Sequence, residues 1–169
     1  MKSSSYIFLL FVLIFSSFIA KEKEKATNIP FEKIIIQANR DSIVAYAKKY
    51  LGTPYVYASS DPKKGFDCSG FVSYVFKNYG VALPRSSGEY KNIGTKLNPE
   101  EFKVGDILVF YGYKNNNIIG HLGIICEANG MQSKFIHASS GKAQCVTITS
   151  LDTEHYTKRF YKCIDVLSK

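Results

Sequence analysis

A chain of 169 residues, 46% hydrophobic and 14% aromatic, has room for one ordinary domain with a real core and reads as globular. Its 22 Lys and Arg against 14 Asp and Glu give a net charge of +8, which suits polyanionic surroundings such as an acidic envelope polymer, anionic headgroups or nucleic acid. The lysines are scattered and Tyr and Phe lie inside apolar runs, so the interleaved basic and stacking residues of a nucleic-acid groove are lacking.

At the start of the chain Lys2 precedes an apolar and small stretch from Tyr6 to Ala20, after which polarity returns with Lys21 to Lys25. The run is shorter than the ~20 residues of a membrane-spanning helix and fits a secretory signal, which predicts export to the periplasm or cell envelope. Phe18 is bulky where a cleavage site wants a small residue, so membrane attachment through residues 6–20 as an uncleaved anchor is the alternative. Residues 21–39 read as a linker, charged up to Pro30, and residues 40–169 as the functional domain. Export would place the four cysteines in an oxidising compartment. Cys68, Cys126, Cys145 and Cys163 have no CxxC spacing, and the last three sit in apolar strand-like runs, so they are expected to be buried free thiols.

Ile43, Ala47, Tyr50 and Leu51 recur at helical spacing after Asp41, a candidate N-cap, with Gly52 at the stop position and Pro54 beyond. A loop rich in Tyr, Ser, Pro and Gly follows to Gly65. A second helix is predicted over Asp67–Tyr79, where Phe71, Val72, Val75, Phe76 and Tyr79 share one side and Gly80 ends the pattern. The period then changes. Ile107–Tyr111, Ile118–Glu127, Lys134–Ala138, Gln144–Thr149 and Arg159–Leu167 are β-branched and aromatic runs separated by turn residues. Helices first and strands afterwards predict an α+β domain with a mainly antiparallel sheet.

Cys68 falls in the first turn of the second helix. Unpaired N–H groups and the positive helix end there favour a thiolate, the nucleophilic form of cysteine, and supply donors for an oxyanion. Two of the three histidines interrupt apolar strands. Alternation puts His121, Gly123 and Ile125 on one face, with Leu122, Ile124 and Cys126 on the other, and turns His137 away from Ile136. Glycines around His121 suggest that a backbone or substrate approaches closely. On neighbouring strands His121 and His137 can stand side by side, so that one accepts the thiol proton while the other fixes its tautomer. His155, in a polar stretch, reads as solvated. A metal site on Cys68, His121 and His137 is conceivable but lacks a ligand pair of short spacing, so no metal is expected.

Gly52-Thr53-Pro54-Tyr55, Asp67-Cys68-Ser69-Gly70-Phe71-Val72, Leu83-Pro84-Arg85-Ser86-Ser87, Gly105-Asp106-Ile107, Gly120-His121-Leu122-Gly123-Ile124 and Ile136-His137-Ala138 resemble, in order, the motifs of NlpC/P60 domains. The resemblance covers about residues 40 to 167. It implies a papain-like core with N-terminal helices packed on the sheet, Cys68 as nucleophile, His121 as base and His137 as the orienting member. By the same likeness Tyr55 helps Cys68 with the oxyanion, and Asp67, Ser69, Arg85 and Ser86 contact substrate. It further implies a cysteine peptidase without cofactor that cuts between D-γ-glutamate and diaminopimelate in peptidoglycan stem peptides. Three departures stand out. Ala58-Ser59-Ser60 replace a frequent Gly-Gly pair, Tyr90 replaces a frequent glutamine, and the length leaves no room for accessory SH3-like domains. An amidase or acyltransferase with the same triad, marked by an apolar groove beside Cys68, is the alternative within enzymes. A non-catalytic wall-binding module would need a broken triad.

Overall fold

The computed structural model describes residues 31–113 and 117–168, with side chains from residue 39 onward, so the Tyr6–Ala20 run lies outside the described residues. The chain divides into two compact units, Met1–Ile35 and Ile36–Lys169, and the second carries the sheet and all described side chains. Helix α1 spans Phe31–Lys48, so it begins within the stretch read as linker and Asp41 lies inside it rather than at its N-cap. The physical reason is plain in the sequence: no Gly or Pro interrupts Phe31 to Lys48, and a capping residue type inside a helix does not end it. The helix buries Arg40, Ile43, Val44 and Ala47.

Helix α2, Cys68–Lys77, agrees with the predicted helix to within two residues at its end. Asp67 is its N-cap and accepts from Gly70 N at 2.6 Å, which satisfies one of the amides that a helix start leaves unpaired. Phe71, Val72, Val75 and Phe76 are fully buried, each worth about 1.5–3 kcal/mol of transfer free energy. Gly70 lies so close to Ser59 that a Cβ there would meet the Ser59 carbonyl oxygen, which fixes this helix start against the preceding loop.

Two short strands, β1 (Ser60–Asp61) and β2 (Gly65–Phe66), form a hairpin in front of α2. The main sheet comprises β3 (Thr95–Leu97), β4 (Ile107–Tyr111), β5 (Ile119–Glu127), β6 (Lys134–Ala138), β7 (Val146–Ser150) and β8 (Phe160–Asp165). Its order is β3-β8-β4-β5-β6-β7, every pairing antiparallel. The last two strands are shorter than the sequence suggests. Gln144 has φ 51°, a left-handed conformation that excludes it from β7.

Both faces of the sheet are covered, which explains why its central strands read as continuous apolar runs. Ile107, Val109, Leu122, Ile124 and Ile136 face α2, while Leu108, Phe110, Ile125 and Phe135 pack on the other side with Leu151 and Tyr156. Tyr156 lies in a short helix, α3 (Glu154–Thr157). Arg40 of α1 ties the layers together through Asp106 at 2.6 Å and Asp165 at 2.6 Å.

Candidate active site

Cys68 is the first residue of α2, placed there by the Asp67 cap. Its Sγ lies 3.9 Å from Gly120 O, and backbone groups of Ser69, Leu122 and Cys68 itself hydrogen-bond the sulfur. The thiol therefore stands against the segment of β5 that carries His121. A bulge makes this approach possible. Phe110 pairs with His121 but Tyr111 pairs with Ile119, leaving Gly120 as the extra residue.

Strands β5 and β6 are neighbours, and His121 Nε2 lies 2.9 Å from His137 Nδ1 with the rings edge to face. His137 Nε2 in turn lies 2.9 Å from Thr149 Oγ1 and 3.5 Å from the Tyr156 hydroxyl. Only one tautomer chain leaves His121 Nδ1 free to accept a proton: His121 Nε2–H donates to His137 Nδ1, and His137 Nε2–H donates to Thr149. Among the described residues the thiol's hydrogen bond runs to Gly120 O and not to the His121 ring. The glycines admit close neighbours from the protein itself. A Cβ on Gly123 would collide with the Phe135 ring and come within 3.3 Å of His137 Cβ, and one on Gly120 would lie 2.6 Å from Gly112 Cα.

Electrostatically the site differs from the primed thiolate that helix position alone suggests. Burial pushes the Cys68 thiol up to about 11, Asp67 adds to this, and the surrounding backbone donors pull back only in part. Burial also holds His121 well below its ordinary value and His137 down to about 3. The resting site is thus a neutral thiol beside neutral imidazoles. A consequence for stability follows. Unfolded histidines bind protons near pH 6.5, whereas these two stay neutral in the fold, so the unfolded chain binds more protons and stability falls as pH drops from 6.5 toward 3. The slope is at most roughly 1.4 kcal/mol per pH unit for each histidine. Thermal unfolding followed from pH 7.5 to 5 should show a falling midpoint that His137→Gln flattens, and a midpoint independent of pH would contradict this account.

Two clefts meet at Gly120. One, of about 410 Å³, is lined by Cys68 together with Tyr55, Asp67, Ser69, Arg85 and Ser86, so every residue singled out as a substrate or oxyanion contact falls there. Arg85 binds Asp67 through both ends of its fork, at 3.0 and 2.7 Å, and reaches Ser69 Oγ at 3.3 Å. It is therefore a clamp on the capping carboxylate. The neighbouring cleft, of about 770 Å³, is lined by His121, Ser140, Tyr156 and Arg159.

Tyr90 is fully buried and donates to Pro84 O at 3.1 Å, so it braces the Arg85 loop and does not line the cleft beside Cys68. Ala58 has φ 59°, a left-handed conformation that favours the glycine it replaces. The cysteines are all unpaired, Cys126 and Cys163 buried and Cys145 half-buried. His155 is exposed, as its polar setting suggests, but accepts from Arg159 Nη1 at 2.6 Å. Among the described residues no group of three or more His, Cys, Asp or Glu could hold a metal ion.

Thr149 and Tyr156 were not legible as site residues. Alternation does place Thr147 and Thr149 opposite Ile148, but which of them meets His137 depends on the β6–β7 register.

Residues 52–165 match the NlpC/P60 family. The chain is 40% identical over 119 residues to a "Gamma-DL-glutamyl hydrolase" of Bacillus subtilis, a match that covers 69% of this chain and 27% of that one. It is 35% identical over 147 residues to a "Probable endopeptidase NlpC homolog" of Haemophilus influenzae, covering 82% of this chain and 72% of the relative. Among solved structures it resembles an NlpC/P60 family protein from Bacillus cereus, with a TM-score of 0.67 at 26% identity, covering 76% of this chain and 40% of that chain.

Proposed function

The chain belongs to the NlpC/P60 family, and on that premise we propose that it is a peptidoglycan hydrolase: a cysteine endopeptidase that cuts the D-γ-glutamyl–diaminopimelate bond of stem peptides through a thioester. The observation that carries this reading is the seating of Cys68 at a capped helix start against Gly120–Leu122, with the His121–His137–Thr149 chain behind that segment. The similar relatives, named as a γ-glutamyl hydrolase and a probable endopeptidase, support the same reaction class.

Because the thiol is neutral at rest, its proton passes to His121 Nδ1 as the sulfur attacks the γ-carbonyl carbon of D-glutamate. The Cys68 amide and Tyr55 receive the developing oxyanion. His121 then gives the proton to the departing diaminopimelate amine, and the C–N bond breaks to leave the thioester. Water loses a proton to the same nitrogen, adds to the thioester, and the sulfur leaves with that proton restored. His137 and Thr149 act as positioning residues that hold the tautomer throughout. Asp67, Ser69 and Ser86 offer acceptors for the peptide's amino end, with Arg85 fixing Asp67. Asp67, Ser69, Arg85, Ser86 and Ser87 in the cleft beside Cys68 suit a peptide better than the lipid acyl group that a transferase reading would require. The Tyr6–Ala20 run supports export to the envelope, where this substrate resides.

The chain lacking residues 1–20 should convert diaminopimelate-containing muropeptides into shorter products, and mass spectrometry should place the cut directly after D-γ-glutamate. An unchanged substrate pool, with Cys68 still labelled by iodoacetamide, would replace hydrolysis by the acyltransferase reading.

A further inference from the structure

The larger cleft holds a cation that the chemistry so far does not use. Arg159 is half-buried in its wall, with Nε donating to Tyr111 O at 3.0 Å and Nη1 to His155 at 2.6 Å. The Tyr156 ring supports the guanidinium from 6.0 Å. The fork is thus held from two sides. Among the described residues, Arg40, Lys64, Arg85, Lys134 and Lys158 have carboxylate partners, but Arg159 has none, and no acid lines its cleft. A partly desolvated, preoriented guanidinium without a carboxylate is arranged to receive one from a ligand.

The position of the cleft says which part of a substrate would supply it. His121 lines this cleft and Cys68 the other, with Gly120 between them. The leaving amine takes its proton from the base, so the residue after the scissile bond lies on the His121 side. We propose that Arg159, buttressed by His155, is a specificity-determining residue that binds a carboxylate on the residue immediately following the cut. The inference rests on the endopeptidase reading above and deepens it. In a stem tetrapeptide the α-carboxyl of that residue is tied up in the next peptide bond. Diaminopimelate still offers its side-chain carboxylate there, while lysine offers none. A γ-linked glutamate polymer would present the same chemical group as an α-carboxylate.

The test compares kcat/KM on four substrates: the diaminopimelate tetrapeptide, the same peptide with that side-chain carboxylate amidated, the lysine tetrapeptide and a γ-glutamate oligomer. Arg159→Gln should lower kcat/KM on the carboxylate-bearing substrate about tenfold or more while leaving the amidated and lysine peptides within about threefold. Arg159→Lys should recover part of the preference, and unchanged iodoacetamide labelling of Cys68 with an unchanged unfolding midpoint would show that the fold is intact. A loss seen only with the glutamate oligomer supports carboxylate binding and assigns it to the polymer. Equal losses on all substrates, or equal wild-type rates on the native and amidated peptides with no loss on the glutamate oligomer in Arg159→Gln, would overturn the inference and leave the endopeptidase reading standing. A wild-type enzyme that cuts none of the four removes that reading, and the inference with it.

Discussion

Exchanging Cys68 for serine should lower hydrolysis of the diaminopimelate muropeptide by about 10⁴-fold or more, the scale seen when a nucleophile is removed from a catalytic unit. The reasoning comes from the environment of the sulfur. The thiol is raised to about 11 and His121 is depressed by burial, so transfer of the proton to the ring is uphill in the resting site. Sulfur tolerates this because it is intrinsically nucleophilic and because the amides of Cys68, Ser69 and Leu122 stabilise its anion as it forms. A serine hydroxyl starts from a far higher pKa and meets the same weakened base. The variant should keep the wild-type circular dichroism spectrum and still bind substrate, with loss confined to turnover measured by chromatography of the muropeptides. Cleavage that persists at a comparable rate would remove Cys68 from the nucleophile's role.

How far the sequence reveals this site depends on the range of the interaction concerned. Helix α2 and strands β4, β5 and β6 were legible because their apolar periods are local properties, and the same alternation put His121 and His137 on one face. The start of α1 was not, since Asp41 is an acceptable cap residue that the continuous helix simply passes through. The bulge at Gly120 is a matter of register between β4 and β5, which a glycine inside a strand suggests but does not locate. Arg85 shares a motif with the cleft and lines it, but that its fork grips Asp67 depends on two segments of the chain meeting in the fold. The electrostatics of Cys68 depends on range in the same way. Helix position is local and lowers the pKa, whereas burial by β5 is tertiary, raises it, and is the larger effect. Glycines beside His121 announced a close approach by a backbone or a substrate, and at Gly120 it is the Gly112 backbone that approaches, while at Gly123 the space belongs to the Phe135 and His137 side chains.

Replacing Arg40 by alanine should cost about 3–5 kcal/mol of stability, the scale of breaking a buried ion pair by removing one partner. Arg40 is 1% exposed and is the shared cation of Asp106 on the approach to β4 and Asp165 at the end of β8. Burial raises the Asp106 pKa even with Arg40 beside it, so removing the guanidinium leaves a carboxylate that must either protonate or remain charged in a dry site. The Gly105-Asp106 motif thereby acquires a structural meaning: Gly105, at φ 86°, lets the chain pass against the Arg40 stem, where an added Cβ would lie 3.4 Å from Arg40 Cβ. The loss should appear as a lower urea midpoint. Coupling Arg40→Met with Asp106→Asn and Asp165→Asn should recover part of it, because no buried charge is then unpaired. Arg40→Ala with an unchanged midpoint would mean that the two carboxylates are hydrated and that the helix is held to the sheet by Ile43, Val44 and Ala47 alone. Recovery in the triple variant would instead identify the uncompensated carboxylates, and not the missing contact area, as the source of the loss.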